Sequence, residues 1–447
     1  VTKRYLRYAL AVIFFANFLS YLDRQVVATM ETQLTKSVAD GGLGLTLAEF
    51  GWVGSAFTIG YMVFAPIVGY LITRHRRPRV FAACVLIWSL ATVGSGLAPH
   101  KLVLYATRFF IGVGEAGCLV IGPTLLSDYF SKDVRGRILS IFFLALPLGG
   151  ATGYIAGAKI TQLLDWHWAF YIAGAPGFVV AVLIWMLVDP EPSDDAAVDA
   201  HGHPLPKAPA AAAPDYSARP WIVRTALNIR DGALRYLSLL SNRTLLFIIL
   251  AQAFAVMFLQ PFLHYGIGFF EEVRHLQKDK AALLLASIAL VAGALGNALS
   301  GFIGDRLNRK VKGAYALMAG IAFCVGMPFM LVGFSSSTIP LAAGALGLGA
   351  FCYFLCMPAV NTQIANSVEA DKRAMAYALA VFILHCLGDT AALPAFGKVS
   401  TVVGGKQTAF LIFSCALLLA GACCFLASKF APKLEPATAP PAGAPQA

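Results

Sequence analysis

GFIGDRLNRK at residues 301–310 loosely repeats an earlier stretch, GYLITRHRR at 69–77. A second pair does the same: PTLLSDYFSKDVRGR at 123–137 returns as PAVNTQIANSVEADKRA at 358–374. Matching pieces lie about 232 to 238 residues apart, so the chain reads as a duplication. Each piece closes an apolar run. Runs long enough to span a bilayer lie near 8–30, 50–72, 79–98, 102–130, 135–159 and 167–188, then near 244–270, 280–304, 312–334, 338–366, 374–398 and 407–428. The expected fold is an all-α membrane protein, with twelve transmembrane helices in two six-helix pseudo-symmetric bundles. Internal repeats of this size point to a secondary transporter, in which two similar bundles rock around one central site.

Composition agrees. Of 447 residues 58% are hydrophobic and 13% charged, against about 25% charged in a soluble domain. That excludes soluble, disordered and disulfide-rich secreted classes. The nine cysteines all fall in apolar runs, and no Cys or His cluster has ligand spacing, so neither a disulfide framework nor a metal is expected. No cleavable signal is expected. Residues 1–188 form the first bundle and 244–431 the second. Between them, 189–243 reads as a cytoplasmic linker. Within it, 219–240 has an apolar stripe (Ile222, Ala226, Ile229, Ala233, Leu237) among arginines, the pattern of an interfacial amphipathic helix. The Pro/Ala-rich tail, 432–447, reads as disordered.

With the N-terminus inside, 24 basic residues fall on inner segments and 8 on outer loops. Both termini are therefore placed in the cytoplasm. The net charge of +11 is then an orientation signal and not a nucleic-acid footprint. The sequon Asn242-Arg243-Thr244 lands on the cytoplasmic side and is read as chance.

Five ionisable residues fall well inside spans: Asp23, Arg24, Arg108, Glu115 and Asp389. Each costs roughly 2.5–3.5 kcal/mol at mid-bilayer, so each needs a partner or a cavity. Asp23 stands about 22 Å along the first span, and Arg108 about 9 Å in from the outer face on the fourth, so the two share a depth. Glu115 lies two turns below Arg108 on nearly the same face. An arginine between acids on two levels suits a proton switch: Asp23 and Glu115 carry protons and Arg108 is their counter-charge. Arg24, about 100° round the helix from Asp23, points to a neighbouring helix or to an anionic head. Arg24, Asn17 and Tyr21 in the first half, with Gln252, Tyr353 and Asn361 in the second, are candidates for touching substrate or supporting residues that do. His385 and Asp389, four apart, form a possible second titratable pair. Phe247, Phe254, Phe258 and Phe262 form a stripe read as packing or lipid-facing. Gly112-x-Gly114-x-x-Gly117 matches a dinucleotide fingerprint but lies mid-span with no strand before it. Gly149, Gly153 and Gly157 let two helices approach closely and are read as packing between the halves.

The loop piece Gly301-x-x-x-Asp305-Arg306-x-x-Arg309 resembles the loop motif of the major facilitator superfamily. Gly69 and Arg74 hold its first copy, where Thr73 replaces the acid. NFLSYLDRQVVA (17–28), RFFIGVGEAG (108–117), PTLLSDYF, PLGGATGYIAG (147–157) and DWHWAF (165–170) resemble the spinster branch. The resemblance implies a cytoplasmic gating role for Gly69, Arg74, Gly301, Asp305, Arg306 and Arg309. It also implies export of lipid-like amphiphiles such as lysophospholipids or sphingosine phosphates. The expected function is proton-coupled transport of such molecules by alternating access. The alternatives are an organic-anion or sugar-acid symporter and, from another class, a lipid-modifying membrane enzyme. The latter lacks a metal triad or nucleophile set, so no enzyme is expected. No cofactor is expected beyond the proton gradient. Expected partners are membrane lipids, protons and the cargo, with no nucleic acid and a monomeric chain. The expected location is the plasma membrane, the bacterial inner membrane if the source is prokaryotic.

Overall fold

The computed structural model describes residues 2–130, 132–190, 230–231, 234, 236–308, 310–369 and 372–431. The tail at 432–447, most of the helix expected over 219–240, Arg309 and the side chain of Asp305 lie outside the described residues. Among the described residues, twelve helices are long and apolar enough to cross a membrane. They are α1 (Lys3–Leu34), α2 (Leu47–Ile72), α3 (Arg77–Gly96), α4 (Lys101–Tyr129), α5 (Ile141–Leu163) and α6 (Trp166–Trp185), then α7 (Arg243–Arg274), α8 (Lys278–Asn308), α9 (Ala314–Ser335), α10 (Ile339–Asn366), α11 (Met375–Val402) and α12 (Lys406–Phe430). The chain is a multi-pass membrane protein. Its helices alternate between a terminal end, where α1 begins and α12 stops, and a far end.

Local chemistry sets the helix limits. Thr46 and Glu49 form a reciprocal capping box at the start of α2. Asn242 caps α7: its side chain accepts from Leu245 N at 3.1 Å and donates to Ser367 O at 2.6 Å. That gives the sequon's asparagine a structural role.

Glycines bring helices within backbone contact inside the first bundle. A Cβ at Gly112 would fall 2.0 Å from Phe57 O on α2, and one at Gly114 2.4 Å from Cys84 O on α3. The fingerprint-like triplet is thus helix packing. Gly149 and Gly153 correct the reading that placed them between halves. Cβ atoms there would fall 2.4 Å from Phe18 O and 2.4 Å from Leu22 O. Both carbonyls belong to α1, in the same bundle. Spacing announces a close crossing but does not name the partner.

Across the bundles, α2 packs on α11 and α5 on α8. Polar contacts tie the halves at the far end. The single hydroxyl proton of Tyr265 on α7 is shared between Leu47 O (2.8 Å) and Leu393 O (3.0 Å), on α2 and α11. Ser55 donates to Thr390 O at 2.9 Å, and Tyr154 to Leu263 O at 2.7 Å. Here α2 and α11 meet reciprocally. A Cβ at Gly51 would fall 2.6 Å from Leu393 O, and one at Gly397 2.4 Å from Leu47 O. Toward the terminal end, Gly69 and Gly301 have no described atom within 4 Å of where a Cβ would stand.

Candidate functional site

Two acid–arginine pairs lie between α1 and α4. Asp23 meets Arg108 at 3.5 Å and also lies 3.5 Å from the Thr92 hydroxyl of α3. Glu115 meets Arg24 at 2.6 Å and accepts from Ser20 at 2.8 Å. Asp23 and Glu115 are 0% exposed and Arg108 is 2% exposed. Arg24, at 22% side-chain exposure, is the member of the quartet that reaches open space.

The pairing differs in one respect from the sequence expectation. Arg108 serves Asp23, but Glu115 takes Arg24. A wheel angle of about 100° separates Asp23 from Arg24, yet Ser20 and Arg24 are i, i+4 on α1 and share a face. The long arginine side chain leans back one turn toward the helix N-terminus and reaches the level of Ser20. That Ser20–Arg24 spacing was the available signal. The result is charge-balanced, with two carboxylates and two guanidiniums in place of two acids sharing one arginine.

Aromatic rings surround Arg24. Its guanidinium lies 4.9 Å from the ring centroids of Tyr21 and Phe57 and 5.4 Å from that of Tyr61. Arg108 lies 5.3 Å from Phe57. These cation–π contacts hold the charge in an apolar setting. Among the described residues, Arg24 Nη2, Arg108 Nε, Asp23 Oδ1 and Glu115 Oε1 have no hydrogen-bond partner. Each charged group thus keeps one atom for another arrangement. Asn17 is spent elsewhere: it donates to Phe142 O at 3.1 Å, tying α1 to the start of α5. Its Oδ1 has no hydrogen-bond partner among the described residues.

The second bundle offers less charge. Gln252 on α7 and Asn361 on α10 approach at 3.5 Å, and Tyr377 donates to Asn361 O at 2.7 Å. Tyr353 is buried against Phe323 and Phe354. It shares a narrow apolar pocket with Phe258, Phe262, Leu285 and Met330. In the aromatic stripe of α7, Phe258 and Phe262 pack inward on Phe334, and Phe247 stacks on Phe430.

His385 and Asp389 pair at 2.6 Å on a π-helical turn, Leu384–Thr390. Such turns, which insert a residue into the ladder, often occur at functional sites. The His385 ring stands 5.9 Å from that of Tyr61, the residue flanking Arg24. Tyr61 therefore bridges the charged quartet and the pair in the other bundle.

Residues 13–392 match the profile of the Major Facilitator Superfamily. The chain is 30% identical over 403 residues to protein spinster homolog 1 of Mus musculus, covering 87% of this chain and 72% of the relative. The chain belongs to the spinster branch of the major facilitator superfamily. Protein spinster homolog 1 of Rattus norvegicus is 40% identical over 203 residues, a match covering 44% of this chain and 37% of that one. A sphingosine-1-phosphate transporter, SPNS2 of Xenopus tropicalis, is 28% identical and covered to 85% of its length, by 97% of this chain. The fold is shared with the crystal structure of a bacterial homolog of the lysosomal transporter spinster, at TM-score 0.79 and 19% identity, covering 96% of this chain and 98% of that one.

In this spinster-branch chain the two loop motifs differ. Arg74 and Arg306 are exposed, and Arg74 lies 5.7 Å from the Tyr70 ring. Where Thr73 replaces the acid, Arg77 is still held by carboxylates. It pairs with Asp128 of α4 and, at 2.8 Å, with Asp189, just after α6; its Nη2 donates to Pro190 O at 2.6 Å. This charge cluster joins the ends of α3, α4 and α6. Asp189 looks in sequence like the first charge of a linker, so its pairing with Arg77 could not be read there.

Proposed function

We propose that this chain is a proton-coupled secondary transporter of amphiphilic, lipid-like molecules of the lysophospholipid or sphingolipid type, working by alternating access. The observation that carries the reading is the buried quartet Asp23–Arg108 and Glu115–Arg24, with Arg24 partly open inside an aromatic box. Protonation of Glu115 frees Arg24 for an anionic head group, and loss of that proton draws Arg24 back. Asp23 and Arg108 hold the second proton position, and His385–Asp389 is a further titratable pair across Tyr61. The apolar second bundle suits the tail. The naming of a full-length relative as a sphingosine-1-phosphate transporter supports this cargo class.

The chain is read as a transporter and not an enzyme, driven by the proton gradient without a cofactor and working as a monomer in the plasma membrane. The excess of Lys and Arg at the terminal end supports a cytoplasmic position for both termini. On that reading the closed far end is the outer one.

The test is a cargo panel in reconstituted vesicles with an imposed pH gradient. Lysophospholipid and sphingosine phosphate are expected to accumulate with the gradient, and a labelled sugar acid is not. Accumulation of the sugar acid alone would establish the organic-anion reading. Flux indifferent to the gradient would remove proton coupling, and chemical alteration of the lipid would make the protein an enzyme.

A further inference from the structure

Eight residues beyond Asp23, α1 carries another acid. Glu31 is 1% exposed, and it forms an ion pair with Lys406, the first residue of α12, itself 2% exposed. The pair crosses between the halves at the far end. Lys406 also holds Glu272 at 2.8 Å, while Thr32 donates to Glu271 at 3.4 Å and Lys278 stands 4.0 Å from Glu271. None of these groups belongs to the central quartet.

Two further features show that the place is built for the pair. Gly268 of α7 lies beneath it, and a Cβ there would fall 2.2 Å from Glu31 Oε2 and 2.7 Å from Lys406 Nζ. Between Arg24 and Glu31, α1 tightens into a 3-10 turn at Val27–Met30. A 3-10 stretch inside a longer helix often marks a hinge. The latch acid and the central charges thus ride on one helix, about 12 Å apart, with a hinge between them.

We propose that Glu31 and Lys406 latch the far end shut, and that α1 ties the latch to the central pairs at Asp23 and Arg24. The inference goes beyond the transport reading and holds whatever the cargo. A buried pair adds little net stability over an apolar pair, but removing one partner strands a charge. When the far end parts, both groups gain water, so release strands nothing. The two ends of the latch respond differently to mutation. Lys406→Met leaves Glu31 buried without its paired cation. Glu31→Gln leaves Lys406 with Glu272, and the double variant removes the stranded charge.

Hydrogen exchange on the full chain in lipid nanodiscs tests this without transport. Lys406→Met is expected to speed exchange at residues 47–55 and 392–402 by about tenfold or more. In Glu31→Gln/Lys406→Met, exchange is expected to return to within about threefold of the parent. Unchanged exchange in Lys406→Met, or a double variant as fast as the single, would overturn the latch. Gly268→Ala keeps both charges and is expected to speed the same segments; no change there would overturn the claim that the site is shaped around the pair. Residues 17–26 are expected to exchange faster whenever the seam opens. A seam that opens while 17–26 stays protected would overturn the tie through α1. Should Lys406→Met fail to fold, Glu31→Gln and Gly268→Ala carry the test. Glu31→Gln removes the pair between the halves but keeps Lys406 on Glu272. It is expected to speed seam exchange by less than about tenfold, and no change in either variant would overturn the latch.

Discussion

The two bundles share an architecture and differ in what they bury. In the first, α1 and α4 bring two acids and two arginines together at 0–22% exposure. In the second, the corresponding α7 and α10 offer Gln252, Asn361 and Tyr353, and their interior is ringed by phenylalanines. Both copies keep a proline at the matching place on the fourth helix of each half, Pro123 and Pro358. Duplication supplied the frame twice, while the polar content diverged. A carrier with one charged wall and one oily wall suits a molecule that has one charged end and one oily end.

Substitutions can break or sharpen that contrast. The largest effect is expected from Glu115→Gln, which strands Arg24. Initial rates in vesicles should fall by on the order of a hundredfold, with the response to an imposed pH gradient lost. Retained proton dependence would remove the first bundle's special status. Arg24→Met should cost about tenfold, chiefly as weaker apparent affinity for anionic cargo, seen by comparing KM with the maximal rate. A neutral amphiphile of equal chain length should be less affected. Asn17→Ala should cost about 1–2 kcal/mol in thermal unfolding, because Phe142 O loses its buried donor, while the pH response stays unchanged. The smallest effect is expected from Gln252→Leu, whose 3.5 Å contact with Asn361 is at the weak edge of hydrogen bonding. Its rate should stay within about threefold of the parent. A tenfold loss would make the second wall a polar participant.

Much of this was legible in the residues. A charge within an apolar run is costly, so Asp23, Arg108 and Glu115 stood out, and helical rise alone put Asp23 and Arg108 at one level. The Glu115 partner was missed because Cα positions do not show how far an arginine reaches back along its helix. Lys278 and Lys406 were counted among outer-loop charges, as hydropathy ends a span where the charges begin. The helices run further than the apolar runs, and tertiary packing buries their ends. Asp189 was hidden in the same way, at the mouth of what reads as linker.

The reciprocal meeting of α2 and α11 has a mechanical consequence. At Gly51 and Gly397 the halves touch through main chain and not side chain, and Tyr265 pins both facing carbonyls. Contact of that kind works as a gauge block: the separation of the two helices is set by the thickness of the backbone. Alanine, serine and valine at position 51 would then act as shims of increasing thickness. They would prop the far end apart in steps that owe nothing to charge, pH or cargo.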